Sequence, residues 1–182
     1  NEGLIYLSTD NGESWSEFIS YVGLDQQNYY FRGLYKILIH PADPLMINTC
    51  GVYGLFRKTD GPEIETDWYR TGIDDYNFFK AMCIPPSEPD TLYASGIYFG
   101  NLQGEYKIAK STDAGGSWED IFDAPEEFLS LGADPFNPDL LYAGGINRGV
   151  FKTRDGAQTW EKINNGIKAN TIHSTDLSPV DS

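Results

Sequence analysis

Apolar residues along this chain gather in short clusters, among them positions 37–39, 47–51, 81–84, 140–143 and 149–152. Each cluster is strand-sized and lies among Pro, Gly, Asn and Asp, the residues that turn a chain. The pair 140–143 and 149–152 brackets Gly144-Gly145-Ile146-Asn147-Arg148, a turn-rich spacer between two strands. No segment combines a helical apolar period with capping residues, so no helix competes. The pattern predicts an all-β chain.

The clusters keep a beat. Ser8-Thr9-Asp10-Asn11-Gly12-Glu13-Ser14-Trp15 returns as Ser111-Thr112-Asp113-Ala114-Gly115-Gly116-Ser117-Trp118. It returns again as Thr153-Arg154-Asp155-Gly156-Ala157-Gln158-Thr159-Trp160, with Ala157 at the glycine position. A fourth copy, Lys58-Thr59-Asp60-Gly61-Pro62, reaches Trp68 only after an insertion at 63–67. Trp15, Trp68, Trp118 and Trp160 are all the tryptophans of the chain, separated by 53, 50 and 42 residues. Turns around Pro41, Pro86, Pro135 and Pro179 recur at spacings of 45, 49 and 44. One unit therefore reads strand, Pro turn, strand, Gly loop, strand, Asp-Gly turn, strand. Four short strands in about 45 residues match a β-propeller blade, a small sheet that buries both faces only by stacking on its neighbours.

In such a turn the Asp carboxylate can accept hydrogen bonds from backbone amides, the Gly supplies a positive φ, and the Trp caps the hairpin with a large buried area. Asp10, Gly12, Trp15, Asp60, Trp68, Asp113, Gly115, Trp118, Asp155 and Trp160 are therefore candidates for a structural role. The octet resembles the Asp-box (BNR-type) repeat of the sialidase, sortilin and xyloglucanase-like propeller superfamily, found also in photosystem assembly factors. That resemblance implies a ring of six or seven blades or more, of which the 182 residues form a single arc. Full blades are expected at 31–75, 76–124 and 125–168, and partial ones at 1–30 and 169–182. Further blades of the same polypeptide are expected to complete the ring, and the resemblance favours an extracellular or periplasmic setting. The octet lacks the alternating oxygen ligands of a calcium loop, so no metal is expected there, and the chain carries no cofactor motif.

Charge narrows the partners. Thirteen Lys and Arg against 27 Asp and Glu leave a net charge of −14, with no basic cluster, which excludes nucleic acid and anionic membrane as partners. No apolar run approaches the roughly 18 residues of a membrane span. The acids form no block of five or more and lie among 14% aromatic residues, the composition of a folded chain. Cys50 and Cys83 lie in apolar, strand-like stretches and read as buried free thiols, or as a single disulfide if the fold brings them together.

In a four-stranded meander the first and third turns share one end. The Pro turns and Asp-Gly turns therefore lie together, and the second turns and connectors form the opposite, more variable end. Segments 24–31, 51–54, 73–78, 96–106, 123–127, 144–148 and 165–170 belong there, where a rigid scaffold would carry function. Tyr29, Tyr30, Tyr76, Tyr98, Phe99 and Arg148 are candidate binding residues, rings beside polar groups that suit a sugar. Asp74, Asp75, Glu126 and Glu127 are candidate carboxylates for glycoside hydrolysis, which needs an acid and a base or nucleophile facing each other. The five arginines, Arg32, Arg57, Arg70, Arg148 and Arg154, do not supply the clustered triad that a sialidase uses. Two readings follow: a propeller scaffold whose variable end binds carbohydrate or protein, or a segment of a xyloglucanase-like glycoside hydrolase.

Overall fold

The computed structural model describes residues 5–19, 33–58, 68–72, 76–98 and 104–178. Fourteen strands and no helix occur among them. A hairpin pairs β1 (Ile5–Leu7) with β2 (Ser16–Ile19). Three four-stranded antiparallel meanders follow in chain order. The first joins β3 (Leu34–His40), β4 (Asp43–Gly51), β5 (Gly54–Lys58) and β6 (Trp68–Arg70). The second joins β7 (Tyr76–Cys83), β8 (Leu92–Tyr98), β9 (Glu105–Ser111) and β10 (Glu119–Ala124). The third joins β11 (Phe128–Ala133), β12 (Leu141–Gly145), β13 (Val150–Thr153) and β14 (Glu161–Lys162).

The opening strands β3, β7 and β11 are innermost. Leu38, Met82 and Leu131 from these strands, with Leu177 from the chain after β14, border one axial recess of about 420 Å³. The sheets stand like blades about that axis, as a partial β-propeller. Stacking explains the burial pattern. Every residue of β8 from Leu92 to Gly96 is buried, because the second sheet is covered on both faces. On β3, by contrast, Tyr35, Ile37 and Ile39 are exposed.

Two apolar seams hold the arc. Cys50 and Leu55 of the first sheet meet Phe79, Met82, Leu92, Ala94 and Ala109 of the second. Ala81, Cys83, Tyr93 and Ile108 of the second sheet meet Phe128, Leu131, Leu141, Ala143 and Phe151 of the third. Both cysteines are free and buried in these seams, and loss of solvent pushes each thiol up to about 12. Polar latches cross the first seam at the Pro-turn end. His40 Nδ1 accepts the amides of Ala42 and Asp43, which leaves Nε2 to carry the proton toward Asp90 Oδ1 at 3.2 Å. Asn48 Nδ2 donates to the Ala114 carbonyl and Arg57 Nη1 to the Asp113 carbonyl, each at 3.2 Å.

The repeated octets form third turns of one design. Asp113 Oδ1 accepts the Ser117 amide at 2.8 Å and the Ser111 hydroxyl at 2.8 Å, Oδ2 accepts the Ser117 hydroxyl, and Ser111 Oγ in turn accepts the Gly115 amide. Asp10 and Asp155 repeat the pattern with Ser8 and Ser14, and with Thr153 and Thr159. Two consecutive residues are left-handed in each of the three described copies: Asn11 and Gly12, Ala114 and Gly115, Gly156 and Ala157. The third copy thus has its glycine one place earlier, and buried Ala157 takes a φ of 71°. The turns also bond to the first turns beside them, Ala114 N to Asp90 O and Gly156 N to Asp139 O. Trp118 and Trp160 pack on the seam shared with the preceding sheet, and Trp118 Nε1 reaches Thr71 beyond β6. Trp68 is buried. Trp15 departs from the expected burial at 63% exposure, because no sheet precedes its hairpin among the described residues. Asp60 lies outside the described residues.

These turns set an acid limit. Hydrogen bonds from Ser14 and Ser8 hold the Asp10 carboxyl down to about 2, against an ordinary value of 3.8. Burial pushes Asp113 up, but the bonds from Ser117 and Ser111 outweigh it, and those from Thr159 and Thr153 lower Asp155. A depressed folded-state value contributes stability above the unfolded value, lost as pH falls through the folded one. The three turns should therefore leave the melting temperature unaffected down to about pH 4.5 and lower it steeply below. Melting curves of Asp113→Asn and the unaltered chain from neutral pH to about pH 2 test this. Curves that stay a constant distance apart through that range would refute it.

Candidate functional site

Second turns and connectors converge at the end of the sheets opposite the Pro turns. The connector between β10 and β11 carries Glu126 and Glu127 there, and both are buried. Glu126 Oε1 accepts the Arg148 amide at 2.8 Å and Oε2 accepts the Asn147 amide at 3.0 Å, so the carboxylate clamps the turn between β12 and β13. Gly145 makes the approach possible, since a Cβ there would collide with Glu126 Oε1. The same turn is bound from the chain that follows. Asn164 Oδ1 accepts the Val150 amide at 2.7 Å, Asn170 O accepts the Gly149 amide at 2.8 Å, and Thr171 Oγ1 donates to Ile146 O at 2.6 Å. On the turn's side every bonded group is a backbone one, so these bonds hold it whatever its side chains.

Glu127 turns toward the axis, where Lys80 Nζ stands 3.0 Å from its Oε1, an ion pair without hydrogen-bond geometry. The Lys80 ammonium also lies 5.7 Å from the centre of the Tyr35 ring. Tyr35, Lys36, Lys80, Ser130, His173 and Thr175 line a second axial recess here, of about 150 Å³. The two carboxylates therefore do different work: one holds backbone, the other answers a lysine. They do not face each other across a groove as an acid and a nucleophile would.

The candidate binding residues separate. Arg148 projects from the clamped turn into solvent, with no ion pair among the described residues. Tyr98 instead packs against the seam of the first two sheets. The backbone of Tyr76 pairs with that of Tyr98. Tyr29, Tyr30, Phe99, Asp74 and Asp75 lie outside the described residues. No group of three or more His, Cys, Asp or Glu suited to a metal occurs among the described residues. Sequence reasoning passed over the axial residues, although Lys36 and Lys80 each have apolar neighbours on both sides in their strands.

Over most of its length the chain is similar to a xyloglucanase. It is 28% identical over 150 residues to the oligoxyloglucan-reducing end-specific xyloglucanase of Emericella nidulans, covering 74% of this chain and 18% of that enzyme. Among solved structures, an ancestral GH74 enzyme superimposes with a TM-score of 0.63 at 23% identity, over 87% of this chain and 21% of that one. The GH74 xyloglucanase from Xanthomonas campestris gives 0.57 at 21% identity, over 71% of this chain and 20% of its own. No family model matches the chain. The chain thus spans about a fifth of the length of these relatives. The structural likeness is one of fold: partial propeller to propeller.

Proposed function

We propose that this chain is an arc of an Asp-box propeller that handles a xyloglucan-type polysaccharide, serving as scaffold and binding wall within a glycoside hydrolase. The observation that carries the reading is the 28% identity with the xyloglucanase across 150 residues. The hydrogen bonding of Asp10, Asp113 and Asp155 supports reading their octets as Asp boxes, turns that stiffen each blade from within. The clamped turn 146–149 supports a wall role, because it offers Arg148 on a backbone that the Glu126 carboxylate holds by two amides. Glu126 is not the acid or base of this reading, since both its oxygens are occupied. Any catalytic pair then lies in the complete polypeptide, with Asp74 and Asp75 as this arc's candidates for one member.

The test compares the arc with the complete polypeptide on xyloglucan oligosaccharides. The arc is expected to bind saturably without cleavage, and the complete protein to release reducing ends. Absence of release from the complete protein would leave the scaffold reading, with carbohydrate or protein as ligand. Absence of binding by the arc would remove its role as a wall.

A further inference from the structure

We propose that the open face of the third sheet docks a second copy of this chain, and that it takes the Asp-Gly turn of that copy's β1–β2 hairpin. The two joints inside the arc show what such a face receives. On the first sheet the cross-strand pair Asn48 and Arg57 lies against the turn of the second: the two side chains donate to the carbonyls of Ala114 and Asp113, and a Cβ on Gly115 would collide with Asn48. On the second sheet the equivalent pair is Tyr93 and Lys110. Gly156 of the third sheet's turn comes so near that a Cβ there would stand 3.3 Å from the Tyr93 hydroxyl. Asn48 and Tyr93 are accordingly 1% and 2% exposed. The third sheet repeats the pair as Tyr142 and Lys152, but no turn covers it among the described residues, and both side chains stay part-exposed.

The β1–β2 turn is the matching part without a seat. It has the backbone of the two seated turns, with Asn11 and Gly12 left-handed where Ala114 and Gly115 are. In the seated turns both left-handed residues are buried, whereas Asn11 and Gly12 are exposed, and Trp15 is 63% exposed. A Cβ on Gly12 would meet only the hairpin's own Trp15 among the described residues. Charge fits as well. The residue before each octet of the three sheets is a cation, Arg57, Lys110 or Lys152, in a chain with only 13 Lys and Arg. Arg57 reaches the turn seated on it, but Lys152 forms no ion pair among the described residues and lies 5.1 Å from the Tyr142 ring centre. Glu161, across the ladder from Lys152, is held by Arg154. The β1–β2 turn would bring Lys152 the Asp10 carbonyl, in the place of that of Asp113, and two acids, Asp10 and Glu13. Such a contact joins unlike surfaces, so association runs head to tail and does not stop at two copies.

Sedimentation of the chain at about pH 7 and about 0.15 M salt, from about 5 to about 500 μM, tests the contact. The average mass of the unaltered chain should rise with concentration past that of two copies. Trp15→Ala, which spoils the hairpin, and Lys152→Glu, which spoils the third-sheet face, should each stay single. An equimolar mixture of these two variants should recover a species of two copies and no larger, because each variant keeps the surface that the other has lost. That recovery also needs both variants to be folded. An unaltered chain that stays single throughout would overturn the second copy as occupant and leave the face to a further sheet of the same polypeptide. Association of either variant as strong as that of the unaltered chain, or a mixture that stays single while the unaltered chain associates, would overturn the two surfaces named.

Discussion

Replacing Phe128 by alanine should cost about 4 kcal/mol. Phe128 is fully buried where β11 begins, its ring centre 5.0 Å from that of Phe151 and 5.4 Å from that of Trp160. Truncation removes the buried ring area and leaves a cavity that the two remaining rings cannot fill without leaving their own contacts. Against a typical total of about 5–15 kcal/mol, such a loss brings a small arc close to its unfolding midpoint. Phe128→Leu should recover much of it, to a cost of about 1.5 kcal/mol, because the volume is largely kept. Phe136, 63% exposed in a first turn, supplies the control, and Phe136→Ala should stay within about 0.5 kcal/mol of the unaltered chain. Urea titrations give all three values. Equal midpoints for Phe128→Ala and Phe136→Ala would mean that the seam between the second and third sheets does not limit stability.

Glu126→Ala should destabilise by about 2–3 kcal/mol. The side chain is 5% exposed and receives two backbone amides on a charged acceptor, a stronger bond than one between neutral groups. Removing it strands both amides at a turn where water reaches only in part. Glu126→Gln should cost about half as much, since one carbonyl oxygen still accepts while the new amide group meets an N–H it cannot bond. A general acid or base behaves otherwise: its glutamine variant loses turnover by orders of magnitude while melting unchanged. Melting both variants, and assaying them in the complete polypeptide, separates the roles. A Glu126→Gln protein with unaltered stability and abolished turnover would reverse the assignment made for this residue.

Much of the sheet architecture was legible because it rests on periodic features. The Trp and Pro beats mark equivalent points in successive sheets, and Pro, Gly and Asp separate runs too short for helices. The apparent departure at Ala157 is explained by something a motif cannot express. The turn needs two left-handed residues in a row, and Gly156 fills the first of them as Gly115 fills the second. The site was less readable. Glu126 attracts a catalytic reading because it is one of two adjacent acids, yet its partners are amides 21 and 22 residues away, and every residue but proline has an amide to offer. Likewise, alternation along β3, β7 and β11 defines two faces without saying which turns to the axis. The meeting of Lys36, Lys80 and Ser130 follows from how the sheets stack, a relation between distant segments that no local pattern contains.

The indoles give the stack a direction. Trp118 and Trp160 stand at the outer edge of their sheets, among the last residues of each meander, and both lean back on the sheet made before. The apolar cluster between the first and second sheets is complete by residue 118, and that between the second and third by residue 160. Among the described residues, neither cluster includes a side chain from later in the chain. The arc can therefore solidify in the order in which a ribosome delivers it, each closing tryptophan sealing the joint behind it before the next sheet emerges.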